Sequence, residues 1–215
     1  MHFLHTLLPF MPVSFAAAAV LPFDHTNLVA KDVFGRQTLT ASMVVANIQT
    51  VTTLSYSLKL TINSAASVNS YTEVFTLAQN IASDFDGICT ALTMDVTAMN
   101  GVTFTDATSC QTIGNALTQF VMVHHDVLQA LIFQSPVFTN WGCAAPILAV
   151  LETLETEIDS FAYAAIQMLP SQTLAIQQGQ NMLDNDCSSA KTKFSLTCLL
   201  GLCLPEETAD GGDAV

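Results

Sequence analysis

The chain has 215 residues, enough for one domain with a substantial core of its own. It is 51% hydrophobic and only 11% charged, with 18 acidic against 5 basic residues and a formal net charge of −13. This balance excludes nucleic acid and anionic membrane surfaces as partners, since both are gripped by Lys and Arg on phosphates, and it leaves Thr, Ser, Gln and Asn to make the polar surface.

At the N-terminus an apolar run from Phe3 to Phe15 leads into Ala16 to Ala19, small residues suited to cleavage, so residues 1–19 read as a secretory signal peptide. His2 and His5 stand where Lys or Arg is usual. Pro9 and Pro12, with the shortness of the run, speak against a membrane-spanning helix, and no transmembrane anchor is expected. Residues 20–37 are a leader of uncertain structure. Residues 38–198 are expected to form an all-α domain, an antiparallel bundle of about five long amphipathic helices.

The first helix starts near Thr38 or Thr40, with a stripe of Val44, Ile48, Val51, Leu58 and Ile62, and ends in the linker-like Asn63 to Ser67. The second keeps helical spacing over Val74, Leu77, Ile81, Phe85, Ile88, Leu92, Val96 and Met99, and Asn100-Gly101 supplies its stop. Thr105 or Asp106 caps a third, striped by Ile113, Leu117, Phe120, His124, Leu128 and Leu131. A break is expected from Gln134 to Gly142, because Pro136 lacks an N–H and pushes Ser135 out of helical geometry while Gly142 allows a reversal. The fourth helix carries Ile147, Leu151, Leu154, Ile158, Phe161, Ala165 and Met168 and should lie antiparallel to the third. Pro170 closes it, and Ser171 caps a fifth with the weaker stripe Ile176, Leu183, Cys187, Ala190 and Phe194, interrupted by Gly179. Residues 199–215 read as an acidic disordered tail, too polar for a glycolipid anchor, which points to a freely secreted or wall-trapped protein; a monomer is expected.

Six cysteines behind a signal-like segment favour disulfides, and six allow fifteen pairings. Cys143 and Cys198 lie nearly equidistant from the turn at Pro170, Cys89 and Cys110 flank the turn at Gly101, and Cys187 with Cys203 remains. No CxxC or Cys/His spacing suggests zinc, and no Glu-x-x-His suggests a di-iron site, so no metal or cofactor is expected.

His124-His125-Asp126 is the most reactive-looking cluster, yet adjacent residues on a helix point to different faces. His124 reads as a hydrogen-bonded core histidine or as a polar anchor for a ligand headgroup. Glu152, Glu155 and Asp159 follow the spacing of a solvated face, with Glu157 beside them. No nucleophile elbow, P-loop or dinucleotide-binding glycine pattern occurs, so no catalysis is expected. There is no Asn-x-Ser/Thr acceptor for N-glycans.

The order of segments resembles the fungal hydrophobic surface-binding protein A family, which includes cell-wall galactomannoproteins. The likeness lies in Val45-Ala46-Asn47-Ile48-Gln49-Thr50-Val51, in Thr105 to Ser109 leading into Ile113 and Leu117, and in Ser135-Pro136-Val137-Phe138, which is similar to the family's Lys-Pro-x-Phe break. It continues in Leu148 to Leu154 and Ala162 to Pro170; Ser135 replaces the family's frequent Lys. The resemblance implies an extracellular, non-enzymatic helical bundle that binds hydrophobic surfaces or holds a fatty acid or other apolar small molecule between its helices. From the residues alone, the stripes line a cavity or simply pack on one another. If there is a cavity, the expected lining is Val44, Ile48, Val51 and Leu58; Val74, Leu77, Ile81, Phe85 and Ile88; Ile113, Leu117, Phe120, His124 and Leu128; and Ile147, Leu151, Leu154, Ile158 and Phe161. The competing reading is a secreted effector or cell-wall structural protein with a packed core that works through protein contacts.

Overall fold

The computed structural model describes residues 39–197. The signal peptide, leader and acidic tail expected from the sequence, together with Cys198 and Cys203, lie outside the described residues.

Five helices follow one another: α1 (Ala41–Asn63), α2 (Tyr71–Met99), α3 (Ala107–Asn140), α4 (Ala145–Met168) and α5 (Thr173–Thr197). The starts of α1, α2 and α3 are set by side chains that accept orphan N–H groups. Thr40 caps α1 through Met43 N, and Asp106 caps α3 through Ser109 N at 2.8 Å. Ser70 and Glu73 form a reciprocal capping box on α2. Gly101 and Gly142 take φ of 74° and 70° at the two tight reversals, the left-handed geometry that glycine adopts without strain. The expected linker after α1 is a 3₁₀ turn, Ser64–Ser67, and Ser171 sits inside another, Pro170–Gln172, instead of capping α5.

The expected break from Gln134 to Gly142 is much shorter. Helix α3 continues through Pro136 to Asn140, and the reversal is confined to residues 141–144. The buried stripe explains this, since Leu131, Gln134, Ser135 and Phe138 keep helical spacing across the proline. Pro136 leaves the Ile132 carbonyl without its usual donor, and the Ser135 hydroxyl donates to that same carbonyl at 2.8 Å.

Around the bundle, α1 packs on α2 and α3, α2 also on α4, and α5 on both α3 and α4. Phe104 N donates to Met168 O at 2.9 Å, tying the start of α3 to the end of α4, so these two run antiparallel. They are not direct neighbours, however, because α5 lies against both and their side chains meet only across the interior, as Phe120 and Phe161 do at 5.7 Å between ring centroids. The predicted stripes supply most of the core, with Phe85, Phe194, Ile48 and Leu58 among its largest fully buried side chains, and Phe138, expected in the break, joins them. Helix α3 is long and apolar enough to cross a membrane by length and composition, but here its buried stripe is the centre of the bundle.

Few charges hold the outside together. Lys59 Nζ donates to Asp126 at 2.8 Å between α1 and α3, and Lys191 pairs with Glu155 between α5 and α4. Many Thr and Ser hydroxyls donate instead to the carbonyl four residues back, as Thr52, Thr97, Thr112 and Thr118 do. That habit satisfies an uncharged polar surface without strengthening the helices, so packing must supply the stability.

The Cys89 to Cys110 bridge expected from the turn at Gly101 is absent: both are buried free thiols, as are Cys143 and Cys187. Cys89 lies ten residues before the end of α2, about 15 Å along the helix, whereas Cys110 sits in the first turn of α3, too far offset for a bridge. Cys110 Sγ donates instead to Phe104 O at 3.4 Å.

Candidate functional site

The three helices α3, α4 and α5 do not close on one another completely. Between them lies an apolar cavity of about 300 Å³. Leu117, Phe120 and Val121 line it from α3, Ile158, Phe161 and Ala162 from α4, and Ile176, Gly179, Met182 and Leu183 from α5. Thr118, Gln172, Gln178 and Gln180 supply its polar edge. Gly179 allows α5 to approach α3, because a Cβ there would come within 2.9 Å of Val121 Cγ2.

The cavity adjoins a second hollow of about 550 Å³ at the start of α3, with which it shares Gly114, Thr118 and Gln172. The Gln172 carboxamide lies 3.4 Å from the position a Cβ would take on Gly114. Thr105, Gln111, Asn115 and Ser171 complete the second hollow with uncharged polar groups.

Behind the apolar wall stands His124, fully buried, with its ring 5.3 Å from that of Phe120. Its Nδ1 lies 3.0 Å from Ser55 Oγ, and the single Ser55 proton is directed to Val51 O at 2.9 Å. Nδ1 must therefore carry the hydrogen and donate to Ser55, which leaves Nε2 as a bare acceptor. Nε2 has no partner. Burial holds the imidazole neutral and pushes its pKa down to about 4. Asp95 is the matching buried acid on α2, pushed up to about 6 by burial, with a partly offsetting hydrogen bond from Asn47.

The neighbouring His125 is not poised for chemistry. Its Nδ1 meets Asp186 Oδ2 at 2.6 Å, and Gln129 Nε2 donates to Asp186 Oδ1 at 2.7 Å, so both carboxylate oxygens brace α5 against α3. The acidic residues of α4, expected on a solvated face, are divided between helices. Glu155 pairs with Lys191, Asp159 accepts from Gln180 at 2.6 Å, and Glu157 accepts from Thr93 on α2 at 2.8 Å. Burial raises the pKa of Asp184, helped by the charges of Asp159 and Glu155. Among the described residues no group of His, Cys, Asp and Glu side chains is arranged to hold a metal ion.

Of the residues expected to line a cavity, the structure brings Leu117, Phe120, Ile158 and Phe161 to this one. Val44, Ile48, Val51 and Leu58 of α1 are buried in the core away from its wall, as are Val74, Leu77, Ile81, Phe85 and Ile88 of α2. Ile113, His124 and Leu128 of α3 and Ile147, Leu151 and Leu154 of α4 are buried but not on the wall either. The wall residues of α5 were absent from the expected lining. Gly179 was the signal available, since a glycine interrupting an apolar stripe marks a close approach of backbone to a neighbour.

Solved structures share this fold. One is AfMP4p in complex with palmitic acid, with a TM-score of 0.64 and 17% identity over 72% of this chain and 99% of that one. Another is ligand-binding domain 1 of the Penicillium marneffei MP1 protein complexed with arachidonic acids, with a TM-score of 0.57 and 12% identity over 71% of this chain and 95% of that one. At these identities the likeness concerns the fold. No protein-family model matches the chain. No curated protein matches it.

Proposed function

We propose that this chain is an exported, non-enzymatic carrier that holds the apolar chain of a lipid in the cavity between α3, α4 and α5. The observation that carries the reading is that cavity: an apolar volume of about 300 Å³, walled by Phe120 and Phe161 and edged by a few polar groups. This matches the lower end of the range of roughly 300–1,000 Å³ typical of small-molecule sites, and the space between bundle helices is a usual location for one. Support comes from the fold shared with AfMP4p and the MP1 domain, whose structures contain palmitic and arachidonic acids. Export is supported by the Phe3 to Phe15 run followed by Ala16 to Ala19, and a place in or near a cell wall by the resemblance to galactomannoproteins.

The test is native mass spectrometry on the extracted protein, titrated with a panel of long-chain lipids that includes fatty acids, fatty alcohols and monoacylglycerols. A single saturable site is expected, weakened by Ala162→Phe, which fills the cavity from α4. If no member of the panel binds with defined stoichiometry, the carrier reading fails.

A further inference from the structure

The carrier reading leaves open which end of a lipid the site recognises, and the two adjoining hollows bear on this. The apolar one suits an alkyl chain. The other begins where the first ends, at Gly114, Thr118 and Gln172, and its polar walls are hydroxyls and carboxamides. Thr118, whose proton goes to Gly114 O, can accept, and the carboxamides both donate and accept, which matches a head of several hydroxyls. A carboxylate is held most strongly by a cation, and among the described residues lining either hollow there is no Lys, Arg or His. Asp106, the cap of α3, stands between the lining residues Thr105 and Ala107, so an anionic head in the second hollow meets a charge of its own sign.

Resting on the carrier reading, we propose that the preferred ligand is a lipid with an uncharged polyhydroxyl head, of the monoacylglycerol type, its chain lying in the apolar cavity against Phe120 and Phe161 and its head among Asn115, Thr118, Ser171 and Gln172. An ionised fatty acid is then the poorer ligand of the same chain length.

The experiment is displacement of Nile red, a neutral apolar probe, from the full protein at about pH 8 by monolauroylglycerol, dodecanol and laurate. Monolauroylglycerol should displace it at concentrations about tenfold below laurate, with dodecanol between them. Asn115 is exposed, so Asn115→Lys should fold normally, as circular dichroism will show; it should bring laurate to within about threefold of monolauroylglycerol. Laurate equal to or better than monolauroylglycerol in the unmodified protein would overturn the head assignment while leaving the carrier reading intact. An Asn115→Lys protein with unchanged preferences would overturn the placement of the head in the second hollow. If all three lipids bind nowhere, the carrier reading falls and takes this inference with it.

Discussion

His124 and Asp95 show what a single buried side chain contributes. In His124 burial lowers the pKa from an ordinary 6.5 to about 4, so between those values the unfolded chain takes up a proton that the folded one refuses. Acidification from 6.5 to 4 therefore removes stability, by about 3 kcal/mol. In Asp95 burial raises the pKa from 3.8 to about 6, and there the folded state holds the proton that the unfolded chain has released. Acidification through this window adds stability, again about 3 kcal/mol. The two effects nearly offset one another between pH 4 and pH 6. Asp95→Asn keeps the amide-compatible contact with Asn47 and removes one arm of the balance. It should be more stable than the parent at pH 7, and the difference should shrink by about 3 kcal/mol as the pH falls to 4. Urea unfolding at four pH values checks this, and a difference that stays constant with pH would show that Asp95 is not buried as a neutral acid.

At the scale of a helix, Pro136 and Ser135 act as a unit. The proline removes the donor that the Ile132 carbonyl would have had, and the serine hydroxyl replaces it. Ser135→Ala should cost about 1–3 kcal/mol, since a carbonyl in a half-buried turn then loses its partner. In the Pro136→Ala background the backbone N–H returns, and the same Ser135→Ala change should cost well under 1 kcal/mol. A double-mutant cycle by chemical denaturation measures this coupling, and additive effects would reject it. The same pair shows what was hard to see in the sequence. A proline after a serine reads as a helix end from local rules, whereas the continuing stripe to Phe138 records that the tertiary packing keeps α3 helical. Helix existence and faces were legible because the buried stripes of α1, α2 and α4 repeat at helical spacing over many turns. Which stripe faces a space and which a neighbour was not legible, because Leu117 on the cavity wall and Ile113 in the packed core belong to one pattern and differ only in what lies opposite.

For the whole molecule, the thiols report how the bundle opens. Burial pushes both Cys89 and Cys187 up to about 12, with Glu157 and Asp86 adding to the first and Glu155 and Asp184 to the second. Neither is a nucleophile in the native state. Alkylation at pH 8 should therefore proceed at these two residues only as fast as the protein unfolds globally, with equal rates despite their positions on α2 and α5. Peptide mapping over a time course checks this. Faster labelling of Cys187 would show that α5 detaches before the rest. That outcome would matter because α5 is the shared wall between α3 and α4. In a growing polypeptide it is also the last of the five to be synthesised, and segments emerge at about 5–20 residues per second. During those seconds the Phe120 and Phe161 faces border an open trench instead of a cavity with a narrow edge. On the carrier reading, a lipid present beside the nascent chain would have a wide way in, and the docking of α5, with Gly179 settling against Val121, would close over it, so that the cargo would be chosen by where the protein is made as well as by what fits.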